Sequence, residues 1–200
     1  MQTFIDHARS FREHAARNGA EFDRLAAGQS PQALFIACSD SRVVPSLFTG
    51  ARPGELFELR TAGNIVPRHR LGHPTGEAAT IEFALEVLGV ADIVVCGHSH
   101  CGAVGAMTRG DDLTGVPAVR SWLAGARAGG PAPPGPGDTA PDYAAAAQRH
   151  VLHQLDRLRT YPNVARRLRA GALGLHAWYY EVHTGTVLAH RADADAFLPL

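Results

Sequence analysis

No lysine occurs among the 200 residues; all 19 basic side chains are arginine. That absence removes every Schiff-base mechanism and every lysine nucleophile. The arginines face 19 carboxylates, so the formal net charge is zero. There is no basic field to hold nucleic acid or an anionic membrane surface, and neither partner is expected. Cysteine is scarce, at positions 38, 96 and 101 only. An odd count without a leader argues against a disulfide framework and for a reducing, cytoplasmic setting. The opening MQTFIDHARSFREHAARNG scatters charge where a secretory leader needs an apolar stretch. No apolar run approaches the ~20 residues of a bilayer span. What is there is a globular composition, 46% apolar and 19% charged, over a length that suits one domain, 1–200, with a full core.

Apolar residues at helical spacing (Phe4, Ile5, Ala8, Phe11 and Ala15, then Phe22, Leu25 and Ala26) predict an N-terminal helical arm over 1–28, broken near Asn18-Gly19. The continuous apolar run 33–37 reads as a buried strand, and 55–60, after the Pro53-Gly54 turn, as a second. Thr75 caps a predicted helix over 75–88 that Gly89 ends. The β-branched run 92–96 is a third strand; 101–108 and 116–126 read as helices. The stretch 129–141, built around GGPAPPGPG, is expected as a Pro/Gly-rich solvent loop. Helices over 143–160 and 163–170 follow, then strands over 173–182 and 186–190 joined by the His183-Thr184-Gly185 turn. Buried strands alternating with helices predict an α/β fold. Its central sheet is mostly parallel, about four parallel strands plus an antiparallel edge strand, flanked by helices.

Two segments concentrate the chemistry: Cys38-Ser39-Asp40-Ser41-Arg42 and His98-Ser99-His100-Cys101. Each follows a predicted buried strand. In an open α/β sheet, ligands bind outside the carboxyl ends of the strands, where the strand order reverses. With the first and third strands adjacent there, two thiols, an imidazole and a carboxylate share one crevice, a set suited to one Zn²⁺. The plainer reading of such a set is a closed structural zinc site; an arginine two residues beyond the carboxylate points instead to chemistry. Read alone, Cys96 is a small core residue, Phe57 and Phe83 are core aromatics, Gln29 is a loop residue before a strand, and Asn64 serves a turn.

The stretches GQSPQALFIACSDSRVVP (28–45), PGELFELRTAGNIVP (53–67), GEAATIEFALEVLGV (76–90) and CGHSHCGAVGAM (96–107) resemble the β-class carbonic anhydrases. A weaker match runs through LHQLDRLRTYPNV (152–164) to LHAWYYEVHTGTV (175–187). The resemblance implies one Zn²⁺ per subunit on Cys38, His98 and Cys101, with Asp40 and Arg42 as the catalytic dyad. It implies a CO₂ pocket lined by Gln29, Phe57, Ala62, Phe83 and Gly102, where a tyrosine often stands in place of Phe83 and a larger aliphatic in place of Ala62. Thr61 stands where many members have asparagine. It further implies a homo-oligomer, dimer or tetramer, because some pocket residues come from a neighbouring subunit.

The expected reaction is reversible, zinc-dependent hydration of CO₂ to bicarbonate and a proton, by a zinc-bound hydroxide that the dyad orients. Three protein ligands leave one position for water. Two thiolates cancel the dication's charge, so the site should be a weaker Lewis acid than a three-imidazole site and work better above neutral pH. Asp40 either accepts the water's hydrogen bond or ligates zinc itself as a fourth ligand and closes the site. A bidentate pair with Arg42 would hold it off the metal. His98 is favoured over His100 as ligand because it lies three residues from Cys101. His69, His73 and His100 are the proton-shuttle candidates. Hydrolysis of CS₂ or COS on the same site, and a non-catalytic zinc-stabilised binding module, are the alternatives.

Overall fold

The computed structural model describes residues 1–127 and 143–200, with only the main chain for residues 20 and 21. The Pro/Gly-rich stretch expected at 129–141 lies outside the described residues. Six strands form one sheet: β1 (Ala33–Cys38), β2 (Leu56–Thr61), β3 (Asp92–His98), β4 (Gly174–Tyr180), β5 (Val187–Arg191) and β6 (Ala196–Pro199), in the order β2-β1-β3-β4-β5-β6. The first four are mutually parallel, and β5 and β6 add on antiparallel. The chain leaves β1 to form β2 on one side and returns to form β3 on the other. Strand order therefore reverses at β1/β3, with Ala37 opposite Cys96.

Sequence explains the centre of this sheet. In β1, Leu34 and Ile36 enter one apolar cluster while Phe35 and Ala37 enter another, so both faces are buried. β3 repeats the pattern with Ile93 and Val95 against Val94 and Cys96. At the β2 edge, Leu59 and Thr61 are buried while Glu58 and Arg60 are exposed. The antiparallel edge has one strand more than expected. β6 follows Asp195, which takes a left-handed φ of 46°, and is only four residues long, ending in Pro199. Its Phe197 packs into the core.

Helices α1 (Gln2–Arg17) and α2 (Gly19–Ala26) form the N-terminal arm, broken at Asn18 as expected. α1 buries no residue in this chain; Phe4 is 71% and Phe11 53% exposed. A short α3 (Pro45–Thr49), which periodicity over five residues cannot reveal, has proline at its start and left-handed Gly50 at its end. In α4 (Gly76–Glu82) the Thr75 hydroxyl accepts from the Ala78 N–H at 3.2 Å, and the helix widens into a π-turn over Phe83–Val87. Then come α5 (Gly102–Arg109), α6 (Pro117–Arg127), α7 (Ala144–Arg159) and α8 (Pro162–Arg169).

α7 packs across β3 and β4 and sinks Val151, Leu155 and Leu158 into the core. Each such side chain contributes about 1.5–3 kcal/mol of burial. The approach is close because residue 97 is glycine: a Cβ there would lie 2.6 Å from Val151 Cγ2. Any side chain at position 97 would push α7 off the strand that ends in His98.

Candidate active site and metal centre

β1 ends on Cys38, β3 ends on His98, and three residues later Cys101 caps the N-terminus of α5. Adjacent strand ends thus deliver residues 60 positions apart to one place. The two Sγ atoms and one imidazole nitrogen lie within 4.8 Å of one another, and all three residues are buried. His98 Nδ1 lies 2.9 Å from the Ser99 carbonyl, a partner that only an N–H can satisfy, so Nδ1 carries the proton. Nε2 is then a lone pair, fully buried and without a hydrogen-bond partner. An orphaned acceptor beside two thiols is costly unless a cation satisfies it.

The sulfurs agree with that reading. Cys38 Sγ accepts N–H bonds from Asp40 at 3.4 Å and Gly63 at 3.3 Å. Its thiol is held well below the usual range, first by the Cys101 S–H directed at it and then by these backbone donors, against the opposing effect of burial. Cys101 is pushed up, as the donor in that bond and by burial. A divalent ion bound by both sulfurs would displace the proton of that bond. Two thiolates and an imidazole in this arrangement fit Zn²⁺.

Asp40 and Arg42 form a bidentate pair: Nε donates to Oδ1 at 2.9 Å and Nη2 to Oδ2 at 2.7 Å. The Arg42 backbone N–H adds a third bond to Oδ1 at 3.0 Å. These bonds hold the Asp40 carboxyl well below the ordinary carboxylate range. Oδ2 comes within 4.0 Å of His98 Nε2, yet Asp40 is outside the group of mutually close ligand atoms. Arg42 Nη2 also reaches the His100 carbonyl at 3.2 Å, tying the two site segments together.

A carbonic anhydrase family profile matches residues 33–187. A carbonic anhydrase of Pseudomonas aeruginosa is 44% identical over 208 residues, covering 100% of this chain and 92% of that protein. Carbonic anhydrase 1 of Escherichia coli O157:H7 is 41% identical, covering 100% and 92%. The chain belongs to the β-carbonic anhydrase family. Among solved structures, the β-carbonic anhydrase CcaA superposes with a TM-score of 0.89 at 36% identity, covering 100% of this chain and 92% of that one. A structure from Sordaria macrospora, described as one of two tetrameric β-carbonic anhydrases, gives 0.79 at 26% identity, covering 94% and 97%. The activity of the family is CO₂ hydration, and this member carries the Cys-His-Cys group that could hold its metal.

The expected pocket residues are more dispersed. Ala62 and Gly63 adjoin the cluster, and a Cβ built on Gly102 meets open space. Phe57 and Phe83 stack on each other at 5.9 Å; Phe57 packs on the α7 side of the sheet, and Phe83 remains 43% exposed. Gln29 lines a separate groove of about 400 Å³ with Arg24, Leu25 and Pro53. Within one chain, neither phenylalanine belongs to the cluster that holds Cys38 and Cys101. Of the shuttle candidates, His69 packs edge-on against Tyr161 at 5.0 Å, while exposed His100 lies 6.3 Å from the ring of His183.

Two groups were missed from sequence. Arg60, on the exposed face of β2, donates to the carbonyls of Cys38 at 2.9 Å, Asp40 at 2.8 Å and Val43 at 2.7 Å, and so shapes the turn that carries the dyad. An arginine in a strand beside the predicted site was the available signal. The second is a polar row on α7. His150 Nε2 donates to the Gly63 carbonyl at 2.8 Å, Gln154 Oε1 accepts from the Val66 N–H at 2.9 Å, and Arg157 donates to the Val66 carbonyl at 3.3 Å. Burial lowers the His150 pKa to about 4, so it stays neutral and keeps its Nε2 proton for this bond.

Proposed function

We propose that this chain hydrates CO₂ reversibly at a Zn²⁺ held by Cys38, His98 and Cys101. The carrying observation is the buried, unpartnered Nε2 lone pair of His98 facing two cysteines. When bound, the ion supplies the Lewis acidity that makes water a nucleophile near neutral pH. The chain's own residues supply the rest. Arg42 fixes both Asp40 oxygens, so the carboxylate stands beside the triad as a hydrogen-bond acceptor rather than a fourth ligand. Asp40 then accepts the bond from the attacking water and sets its lone pair toward the substrate. Gln29, Phe57, Ala62, Phe83 and Gly102 are proposed to line the CO₂ pocket. An apolar wall suits a nonpolar gas and holds bicarbonate weakly. Of the shuttle candidates His69, His73 and His100, exposed His100 is favoured as the proton carrier, because its carbonyl accepts from Arg42 of the dyad.

A homo-oligomer belongs to the same reading. The uncovered apolar stripe of α1 and the half-exposed Phe83 support it. A single domain over 1–200 and a cytoplasmic setting fit it too; among the described residues, no helix is long and apolar enough to cross a membrane. The test is stopped-flow CO₂ hydration with wild type and Asp40→Asn. Wild type should be active, and the variant should keep its metal while kcat/KM falls by about 10²–10⁴-fold. An inactive, metal-free wild type, or a fully active variant, would sink the proposal.

A further inference from the structure

We propose that Trp122 is a positioning residue for the metal centre, acting through the peptide group that joins Ala62 to Gly63. The inference rests on the proposed metal-binding role of Cys38, His98 and Cys101. The peptide is trans, so its oxygen and its proton point in opposite directions. The Gly63 N–H donates to Cys38 Sγ at 3.3 Å. At the other end, the Ala62 carbonyl accepts the indole Nε1–H of Trp122 at 2.9 Å. One peptide dipole therefore sits between the indole and the ligand sulfur. A donor on its oxygen polarises its N–H, because linked hydrogen bonds strengthen one another.

This peptide needs an outside clamp. Gly63 has a left-handed φ of 77°, and a Cβ there would lie 2.9 Å from the Ala103 Cβ, so close packing admits no side chain to fix the turn. The following peptides are pinned from α7, by His150 on the Gly63 carbonyl and by Gln154 and Arg157 on Val66. Trp122 does the same for the preceding peptide from α6. The position of α6 is set separately, by Leu123 and Ala126 packed with Ile65. The indole N–H can thus be removed while the helix keeps its apolar anchors.

Hydrogen bonds to a ligand sulfur draw charge off it and moderate its donation to the cation, as outer partners tune metal sites generally. Loss of the indole donor leaves Cys38 more electron-rich. Trp122 is half-exposed and outside the ligand set, so its effect is electronic and orientational rather than direct contact.

The experiment uses the full-length protein with Co²⁺ in place of its metal and reads the near-ultraviolet thiolate-to-cobalt charge-transfer band. Trp122→Phe keeps an aromatic ring and deletes the donor; the band should move to longer wavelength while far-ultraviolet circular dichroism stays unchanged. A ring-fluorinated tryptophan placed at position 122 alone keeps the shape and makes the N–H a stronger donor; the band should move to shorter wavelength. If Trp122→Phe does not fold, the fluorinated protein decides. A band at the wild-type wavelength in every folded variant overturns the role of Trp122. A wild-type protein that gives no thiolate–cobalt band overturns the metal-centre reading itself, and this inference with it.

Discussion

The two halves of the site meet at 4.0 Å, between His98 Nε2 and Asp40 Oδ2, yet they are built in opposite ways. The proposed ligand half is dry: Cys38, His98 and Cys101 are 6%, 0% and 1% exposed. It comes from two strand ends and a helix cap, held by sheet register and by α7. The dyad half faces water, with 48% of the Arg42 side chain exposed. Asp40 and Arg42 are two residues apart and fix each other, with Arg60 gathering the carbonyls of their turn. Long-range architecture makes the ligand set, whereas local pairing makes the dyad. Damage to the first should therefore be all-or-none, and damage to the second graded.

The largest effect should come from Cys101→Ala. It leaves one thiol and one imidazole, and the protein should lose its metal and its CO₂ hydration together, as read by metal analysis and stopped flow. Full metal content in that variant would break the contrast. Arg42→Gln should be milder: metal is kept and kcat/KM falls by about 10–100-fold, as when an orienting partner is lost.

The same variant carries a pH signature. The Asp40 carboxyl is held below its ordinary value of 3.8, chiefly by Arg42. Its stabilising contribution is thus present above the unfolded-state value and is lost as pH falls through the folded-state value. Denaturant melts should show the largest gap between wild type and Arg42→Gln above about pH 4, closing in stronger acid. A gap that widens on acidification would contradict the pairing. The smallest effect on the metal centre should come from Phe4→Glu with Phe11→Glu on α1. Sedimentation should show smaller assemblies, while metal content per folded chain is unchanged.

The same division governs what could be read from sequence. β1 and β3 were legible because a strand buried on both faces writes itself as an unbroken apolar run, as in 33–38 and 93–96. The dyad was legible because two residues of spacing contain it. β6 was not, since four residues ending in proline carry too little alternation to stand out. Nor was the polar row of α7. His150, Gln154 and Arg157 alternate with Val151, Leu155 and Leu158 and read as the wet side of an amphipathic helix. Their partners are backbone groups of residues 63 and 66, 87 to 91 positions away, and nothing local announces such a bond. Arg60 stood in a strand beside the site, a signal of place only: its three carbonyl partners give no pattern of side-chain types.

X-ray absorption at the zinc edge, on the purified protein at alkaline pH, tests the metal centre most directly. Two sulfur scatterers near ~2.3 Å, one imidazole nitrogen and one light atom that persists in Asp40→Asn are predicted. A shell with no sulfur, or one whose light atom vanishes with the Asp40 carboxylate, would contradict the account.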